Sequence, residues 1–234
     1  MDITVTGLNH KRAPVELREK LAVDPAALPA ALVEIQKAVA AQEVVILSTC
    51  NRVEFYSVHE GAAELGALAQ AIARRPGIDP ALVAPALYHH QGTEAVRHLF
   101  RVTSSLDSMV LGETQIIGQV KDAYLAAKEA GATGRVFNRL FQQALAVAKR
   151  IHTTTSLGEK NVSVPSVAAR LAERIFQDLS RKSVVILGAG EMGELTLGAF
   201  HARGVTKVHV VNRTLAHARE LAGKFGGQAH ALDE

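Results

Sequence analysis

Cys50 is the single cysteine of a 234-residue chain, set in Glu43-Val-Val-Ile-Leu-Ser-Thr-Cys-Asn-Arg-Val-Glu54. The apolar run from Val44 to Leu47 reads as a buried strand, so the cysteine falls in the turn where that strand ends, a usual place for functional groups. Thiolate is the reactive form of cysteine, and an unassisted thiol titrates near ~8.5, which leaves a small thiolate fraction at neutral pH. Arg52 follows directly after Asn51 and has two uses. Its charge favours the thiolate, and its planar fork can grip a carboxylate. By itself a lone cysteine is most often a small buried hydrophobe; a second motif changes that reading.

The second motif is Ser183-Val-Val-Ile-Leu-Gly-Ala-Gly-Glu-Met-Gly193, a strand that runs straight into Gly188, Gly190 and Gly193. A helical pattern and a second strand, Lys207 to Val211, follow it, which is the context a dinucleotide-binding glycine turn requires. Gly188 allows the tight turn, Gly190 lets backbone approach a pyrophosphate, and Gly193 allows close helix packing. With Ala189, Glu191 and Met192 they form a turn whose free N–H groups at a helix start suit an anion. The second strand ends in Val210-Val-Asn-Arg-Thr214. An enzyme that prefers NAD usually carries an acid there for the ribose hydroxyl. Here Asn212, Arg213 and Thr214 offer no acid and one forked cation suited to a 2′-phosphate, so NADPH is the expected cofactor.

A nucleophilic thiol together with a hydride donor points to reduction of an acyl group through a thioester; ester, acyl-phosphate and thioester substrates all satisfy that logic. Two other readings stand beside it: an NADP-dependent dehydrogenase of a small hydroxy acid, which needs no thiol, and a chain that only binds a partner.

The elements that must position these groups are legible in outline. Asp2–Leu8 alternates like a strand with Ile3, Val5 and Gly7 on one side, Val15–Ala22 and Pro25–Ala40 read as helices, and Val53–Val58 as another strand. Ala62–Arg74 reads as a helix broken at Pro76-Gly77, so residues 1–152 form an α+β domain. Helices are expected from Thr93, with Val96, Leu99, Phe100 and Thr103 inward, then over about Glu113–Ala130 and Arg135–His152. His98 then shares a more polar face with Glu94 and Arg101 and reads as a surface or packing histidine, while Gln115 and Gln119 lie on a solvated face. His89-His90 reads as a loop pair with no third ligand at a convincing spacing, so no metal is expected. Asn9, His10 and Lys11 serve the site or merely form a turn. Polar residues 153–164 read as a linker, and Pro165 opens the second domain, 165–234, a truncated Rossmann-like NADP-binding domain with two strand–helix units where a full one has about six strands.

Composition narrows the class without choosing the function. An apolar share of 48% with 21% charged residues describes a soluble globular protein. One cysteine excludes an internal disulfide and fits a reducing cytoplasm, and neither a signal peptide nor a membrane span is evident. With 26 basic against 23 acidic residues and 4% aromatics, charge permits a polyanionic partner without demanding one.

Several blocks are recognisable together: Gly7-Leu-Asn-His-Lys-Arg-Ala-Pro-Val-Glu-Leu-Arg-Glu-Lys-Leu21, Leu47–Glu54, Ser105-Leu-Asp-Ser-Met-Val-Leu-Gly-Glu-Thr-Gln-Ile-Ile-Gly-Gln-Val120 and Asn161-Val-Ser-Val-Pro-Ser-Val-Ala168. With the glycine turn they make the chain closely resemble the glutamyl-tRNA reductases. The resemblance implies an enzyme that reduces the glutamyl group of glutamyl-tRNA with NADPH to glutamate-1-semialdehyde, the committed step towards tetrapyrroles. It implies Cys50 as the nucleophile and His98 as the histidine kept near the thiol. It further implies that Thr49, Asn51 and Arg52 surround the glutamyl moiety together with Ser108, Glu113, Thr114, Gln115 and Gln119. Members of the family continue into a long helix and a dimerisation domain, so a homodimer is expected of them, and glutamate-1-semialdehyde aminomutase is a candidate partner for the product.

Overall fold

In a computed structural model that describes residues 1–61, 65–73, 78–157 and 163–232, the chain divides into two compact units, Met1–Lys160 and Asn161–Glu234. The fold is α/β: an α+β unit, then a partial Rossmann-like parallel sheet.

The first unit is built on an antiparallel sheet in the order β2-β3-β1-β4, with β1 Asp2–Asn9, β2 Glu43–Ser48, β3 Arg52–His59 and β4 Tyr88–Gln91. Every residue of β3 is buried, as is β1 from Thr4 onward, because both are central strands. The one-sided alternation expected of β1 therefore does not hold. Its polar residues are buried in pairs instead, Thr4 Oγ1 with Ser57 Oγ at 2.7 Å and Thr6 Oγ1 with His89 Nδ1 at 2.7 Å. That last bond corrects the loop expected at His89-His90. Both histidines lie in β4, paired to Thr6 and Val5, since β1 offers a free edge that local sequence does not reveal.

The helices of this unit are α1 Val15–Leu21, α2 Leu28–Ala38, α3 Leu65–Ala73, α4 Pro80–Val83, α5 Thr93–Thr103, α6 Gln115–Glu129 and α7 Arg135–Thr154. The start of the helix expected at Pro25 is a short 3₁₀ turn, Pro25–Ala27, with the Asp24 carboxylate accepting from the Ala26 N–H at 3.2 Å. Residues 62–64 and 74–77, which include the expected ends of α3 and the Pro76-Gly77 break, lie outside the described residues. Glu43 holds the start of α7 from across the sequence: its two carboxylate oxygens accept from the N–H groups of Val136 (3.0 Å) and Phe137 (2.7 Å). α7 runs two residues into the stretch expected as linker, to Thr154, with the Thr153 and Thr154 hydroxyls donating to the Arg150 carbonyl. Residues 158–162 of that stretch are outside the described residues.

The second unit contains α8 Val164–Phe176, β5 Ser183–Leu187, α9 Glu191–His201, β6 Lys207–Asn212, α10 Leu215–Lys224 and β7 Gln228–Ala231. Ser163 and Ser166 cap α8 reciprocally, one residue before the expected start at Pro165. The three strands are parallel in the order β5-β6-β7. β7 corrects the expectation of two strands: its short segment Gln-Ala-His-Ala is held by pairing to β6 rather than by its own pattern. Among the described residues no helix is long and apolar enough to cross a membrane, and no group of three His, Cys, Asp or Glu side chains could hold a metal ion.

Candidate active site

Thr49, Cys50, Asn51 and Arg52 make the tight connection between β2 and β3, and the threonine shapes it. The Thr49 N–H donates to the Arg52 carbonyl at 2.8 Å, while its hydroxyl accepts from the N–H groups of Asn51 (3.2 Å) and Arg52 (3.1 Å). Such a turn leaves its second residue pointing outward, and Cys50 is exposed. Two further contacts brace it. The His10 N–H donates to the Asn51 carbonyl at 2.9 Å, and Arg18 on α1 donates to the Cys50 carbonyl. His10, left open by the sequence, thus belongs to the frame of this turn. Burial and the charges of Lys11 and Arg52 hold its imidazole below its ordinary pKa.

Arg52 is turned inward. It is 1% exposed, and Nη1 donates to Glu54 Oε1 at 2.6 Å while Nη2 donates to the Asp107 carbonyl at 2.6 Å and to Asp107 Oδ2 at 3.3 Å. The carboxylate grip expected of it is filled by the protein's own acids, so its fork meets a second carboxylate only by exchanging one of these bonds. Its guanidinium stays charged well above the ordinary arginine range, because Glu54 outweighs the effect of burial.

Glu54 is the hub. It is fully buried, and its carboxylate accepts from Arg52, from both Tyr56 and Tyr88 hydroxyls, and from His98 Nε2 at 2.9 Å. Burial alone pushes such a carboxyl up, but the Arg52 charge and the His98 and Tyr56 donors outweigh it and hold Glu54 well below the usual carboxylate range. The two phenols are displaced the other way, raised by burial and by the same carboxylate. An ionised Glu54 accepts only, so His98 carries a proton on Nε2, and Nδ1 has no hydrogen-bond partner among the described residues.

His98 therefore departs from the polar face, shared with Glu94 and Arg101, on which the helical wheel placed it. The buried face of α5 is Ala95, His98, Leu99, Val102 and Thr103, rotated from the expected one, and His98 can be buried because Glu54 answers its N–H. The sequence reading missed Glu54, Tyr56, Tyr88 and Asp107. One signal was available for two of them: strand period puts Arg52, Glu54 and Tyr56 on one face of β3. Tyr88 and Asp107 come from distant segments and leave no such mark.

Asp107 joins the turn to the loop before α6. Lys11 donates to its other oxygen, and these two cations hold its carboxyl low against the effect of burial. Ser108 comes next, with a buried hydroxyl that has no hydrogen-bond partner among the described residues. The loop is clamped at Ser105, whose φ of 60° is left-handed and whose hydroxyl donates to the Glu113 carbonyl at 2.5 Å and contacts His152 Nε2 at 3.2 Å. Glu113 is buried, Thr114 is the exposed residue before α6, Gln115 is half-buried and Gln119 exposed. Among the described residues no hydrogen bond or ion pair joins these four to the 49–52 turn.

In the second unit Gly188 has φ of 102°, and its N–H donates to the Val211 carbonyl at 2.8 Å. A Cβ on Gly193 would lie 2.8 Å from the Gly188 carbonyl oxygen, so glycine permits the close approach of α9 to the turn. Gly190 precedes α9 with open space around it, and Glu191 and Met192, both exposed, begin the helix. Asn212 ties the two candidate loops together: its side chain accepts from the Ala189 N–H at 3.4 Å and donates to the Thr214 carbonyl at 3.0 Å. Arg213 is exposed and engaged with nothing among the described residues. Open glycine backbone, a free helix start and a free cation beside them fit the pyrophosphate and outer phosphate of a dinucleotide.

Residues 6–155 match the family described as glutamyl-tRNA(Glu) reductase, N-terminal domain, and residues 170–234 match the one described as shikimate/quinate 5-dehydrogenase. A glutamyl-tRNA reductase of Magnetococcus marinus is 50% identical over 234 residues, covering 100% of this chain and 56% of the relative. One from Geobacillus kaustophilus is 48% identical over 238 residues, covering 100% of this chain and 52% of the relative. The solved glutamyl-tRNA reductase of Methanopyrus kandleri aligns with a TM-score of 0.62 at 35% identity, covering 99% of this chain and 54% of that one. The chain thus spans about half the length of the relatives it matches. With one family description covering residues 6–155 and both reductases aligned along all of it, the chain belongs to the glutamyl-tRNA reductase family.

Proposed function

We propose that these two units carry the thiol and dinucleotide sites of an enzyme that reduces glutamyl-tRNA to glutamate-1-semialdehyde with NADPH, on the route to tetrapyrroles. The observation that carries the proposal is the exposed Cys50 in a turn braced by His10 and Arg18 and backed by the buried Arg52–Glu54–His98 network. In this reading the Cys50 thiolate attacks the ester carbonyl. The carbon–sulfur bond forms as the bond to the ribose oxygen breaks, and that oxygen leaves with a proton. His98, with Nε2–H fixed on Glu54, takes the Cys50 thiol proton on Nδ1 and passes it to that leaving oxygen. Thr49, Asn51, Arg52 and Ser108 surround the glutamyl group with Glu113, Thr114, Gln115 and Gln119, and the buried Ser108 hydroxyl, without a partner among the described residues, is free to meet it. Gly188 to Gly193 with Asn212, Arg213 and Thr214 hold NADPH, which supplies the hydride that turns a thioester into an aldehyde. Arg213 favours NADPH over NADH because its guanidinium, unengaged among the described residues, is open to the outer phosphate. Glutamate-1-semialdehyde aminomutase is the natural recipient of the aldehyde.

The test is to incubate the chain with glutamyl-tRNA labelled in the amino acid, without NADPH, and locate the label by mass spectrometry. Label on Cys50 is expected. A bare Cys50 with label elsewhere overturns the thioester, and dinucleotide turnover that survives alkylation of Cys50 favours a small hydroxy-acid dehydrogenase instead.

A further inference from the structure

Beside the thiol turn lies a pocket of about 350 Å³, of whose lining the thioester chemistry uses His98 alone. Asn9, paired with Arg52 in the β1–β3 ladder, and Asp107, bonded to Arg52, form the side nearest the turn. Three arginines, Arg12, Arg97 and Arg101, line the rest, against two acids. Both acids are already engaged: Glu94 by Arg97 at 2.5 Å, and Asp107 by Lys11 and Arg52. Arg12 is left donating to one backbone carbonyl, that of Leu87 at 3.2 Å, and the Arg101 guanidinium is left with no hydrogen bond or ion pair among the described residues. The pocket therefore has cations to spare, and an anion is the ligand they suit.

Its remaining wall is flat and ring-shaped. Tyr88, His90 and His98 cluster with ring centroids 4.9 to 5.5 Å apart, and the Arg12 guanidinium lies 5.9 Å from the centre of the Tyr88 ring. Imidazole and phenol rings beside arginine planes are the surfaces on which unpaired nucleobases stack, and arginines next to them take the phosphates. An anion alone would not need the rings, and an aromatic acid would not need two free guanidinium groups.

We propose that this pocket receives the terminal nucleotide of a single-stranded RNA acceptor end, its phosphate on Arg12 and Arg101 and its base against His90. The proposal rests on the reading of the substrate as an aminoacyl-tRNA, in which the ester is carried by the last ribose. The terminal nucleotide must then lie next to the thiol turn, and this pocket shares Asp107, Asn9 and His98 with the surroundings of that turn. His98 faces both, through Nε2 to Glu54 and as part of the pocket wall.

The experiment uses the whole chain and an unacylated RNA minihelix ending in CCA, so no step depends on Cys50. Affinity is measured at several salt concentrations for the parent and for Arg12→Ala, Arg101→Ala and His90→Ala, with Arg181→Ala as a control in the second unit. Each pocket arginine variant is expected to bind about tenfold more weakly and to lower the slope of log affinity against log salt by about 1, while Arg181→Ala changes neither. Removing the terminal nucleotide from the RNA should weaken the parent by a similar factor and abolish the difference between parent and pocket variants. If the variants weaken full-length and shortened RNA alike, or Arg181→Ala matches them, the cations act as a general field and the nucleotide site is refuted. If AMP or inorganic phosphate binds the pocket tightly while RNA affinity is unchanged in the variants, the pocket serves a free anion and the RNA assignment falls. The labelling of Cys50 decides the thioester separately: a labelled thiol with indifferent pocket variants sinks this proposal alone, and the reverse pattern sinks the thioester alone.

Discussion

Gly7 and Glu54 face each other across the β1–β3 ladder, and the missing Cβ of the glycine is the space that the glutamate stem occupies. A Cβ on Gly7 would lie 2.5 Å from the Val53 carbonyl oxygen and 2.9 Å from Glu54 Cα, backbone atoms that cannot move without shifting β3, and 2.9 Å from Glu54 Cγ. Gly7→Ala should therefore cost about 1–3 kcal/mol of stability, the range for overpacking a tight interior. The displaced carboxylate is the common partner of Arg52 and His98. Loading of Cys50 by glutamyl-tRNA should accordingly fall further than the fraction folded. Urea titration beside the labelling rate checks both, and a variant matching the parent in each would detach Gly7 from the support of the site.

Glu54→Gln tests the hub itself. The amide keeps the volume and removes the charge, leaving Arg52 buried with Asp107 as its remaining charged partner among the described residues. Losing one member of a buried pair costs about 3–5 kcal/mol, so the variant should show a clear drop in urea midpoint. Acid titration separates this from a general packing loss. His10, His59, His89 and His90 all have lowered pKa values in the folded chain, each chiefly through burial. A lowered value means the unfolded state binds the proton first, so their contribution is present above about 6.5 and fades as pH falls below it. Glu54 and Asp107 are also lowered, and their contribution is present above about 4 and fades below that. The parent should lose stability in two stages on acidification. Glu54→Gln should keep the first stage and flatten the second; an unchanged second stage would mean that Glu54 is not held ionised by its donors.

What the sequence made legible was what local pattern encodes. The run before Cys50, the turn containing it and the glycine turn at Gly188 each carry their signal within about a dozen residues. What escaped it depends on partners far away in the chain. β4 exists because β1 offers an edge to Tyr88–Gln91, β7 because β6 offers one to Gln228–Ala231, and α7 starts where it does partly because Glu43 reaches its first N–H groups. The helical wheel of α5 misplaced His98 for the same reason. A histidine looks polar until a buried carboxylate is known to wait for it, and Glu54 sits 44 residues earlier. Strand period could have revealed Arg52, Glu54 and Tyr56 as one face, yet nothing local shows that this face is closed by a helix.

Arg213 should determine which dinucleotide is taken. It is exposed and, among the described residues, unengaged, next to the Asn212 side chain that links the glycine turn to the end of β6. Charge-assisted hydrogen bonds contribute about 1.5–3 kcal/mol each, so Arg213→Asp should weaken NADPH by roughly tenfold to a hundredfold. NADH, lacking the outer phosphate, should bind about as before. Fluorescence titration with both cofactors checks the difference, and equal losses would remove Arg213 from phosphate recognition.

Cys50→Ser should separate chemistry from folding. The side chain is exposed and makes no hydrogen bond through its sulfur among the described residues, so replacing it should change stability by no more than about 0.5 kcal/mol. The turn is held by Thr49, His10 and Arg18 through backbone atoms and the Asn51 side chain, none of which the substitution touches. Binding of unacylated RNA should persist, since no part of that pocket is altered. The covalent glutamyl adduct should vanish, and with it the aldehyde, because a serine hydroxyl lacks the thiolate on which acyl transfer depends. Mass spectrometry of the quenched mixture and a colorimetric assay for aldehyde read these two outcomes independently. Aldehyde formed at the parental rate by a folded Cys50→Ser protein would mean that hydride reaches the ester directly, and that the exposed thiol is a bystander in its own turn.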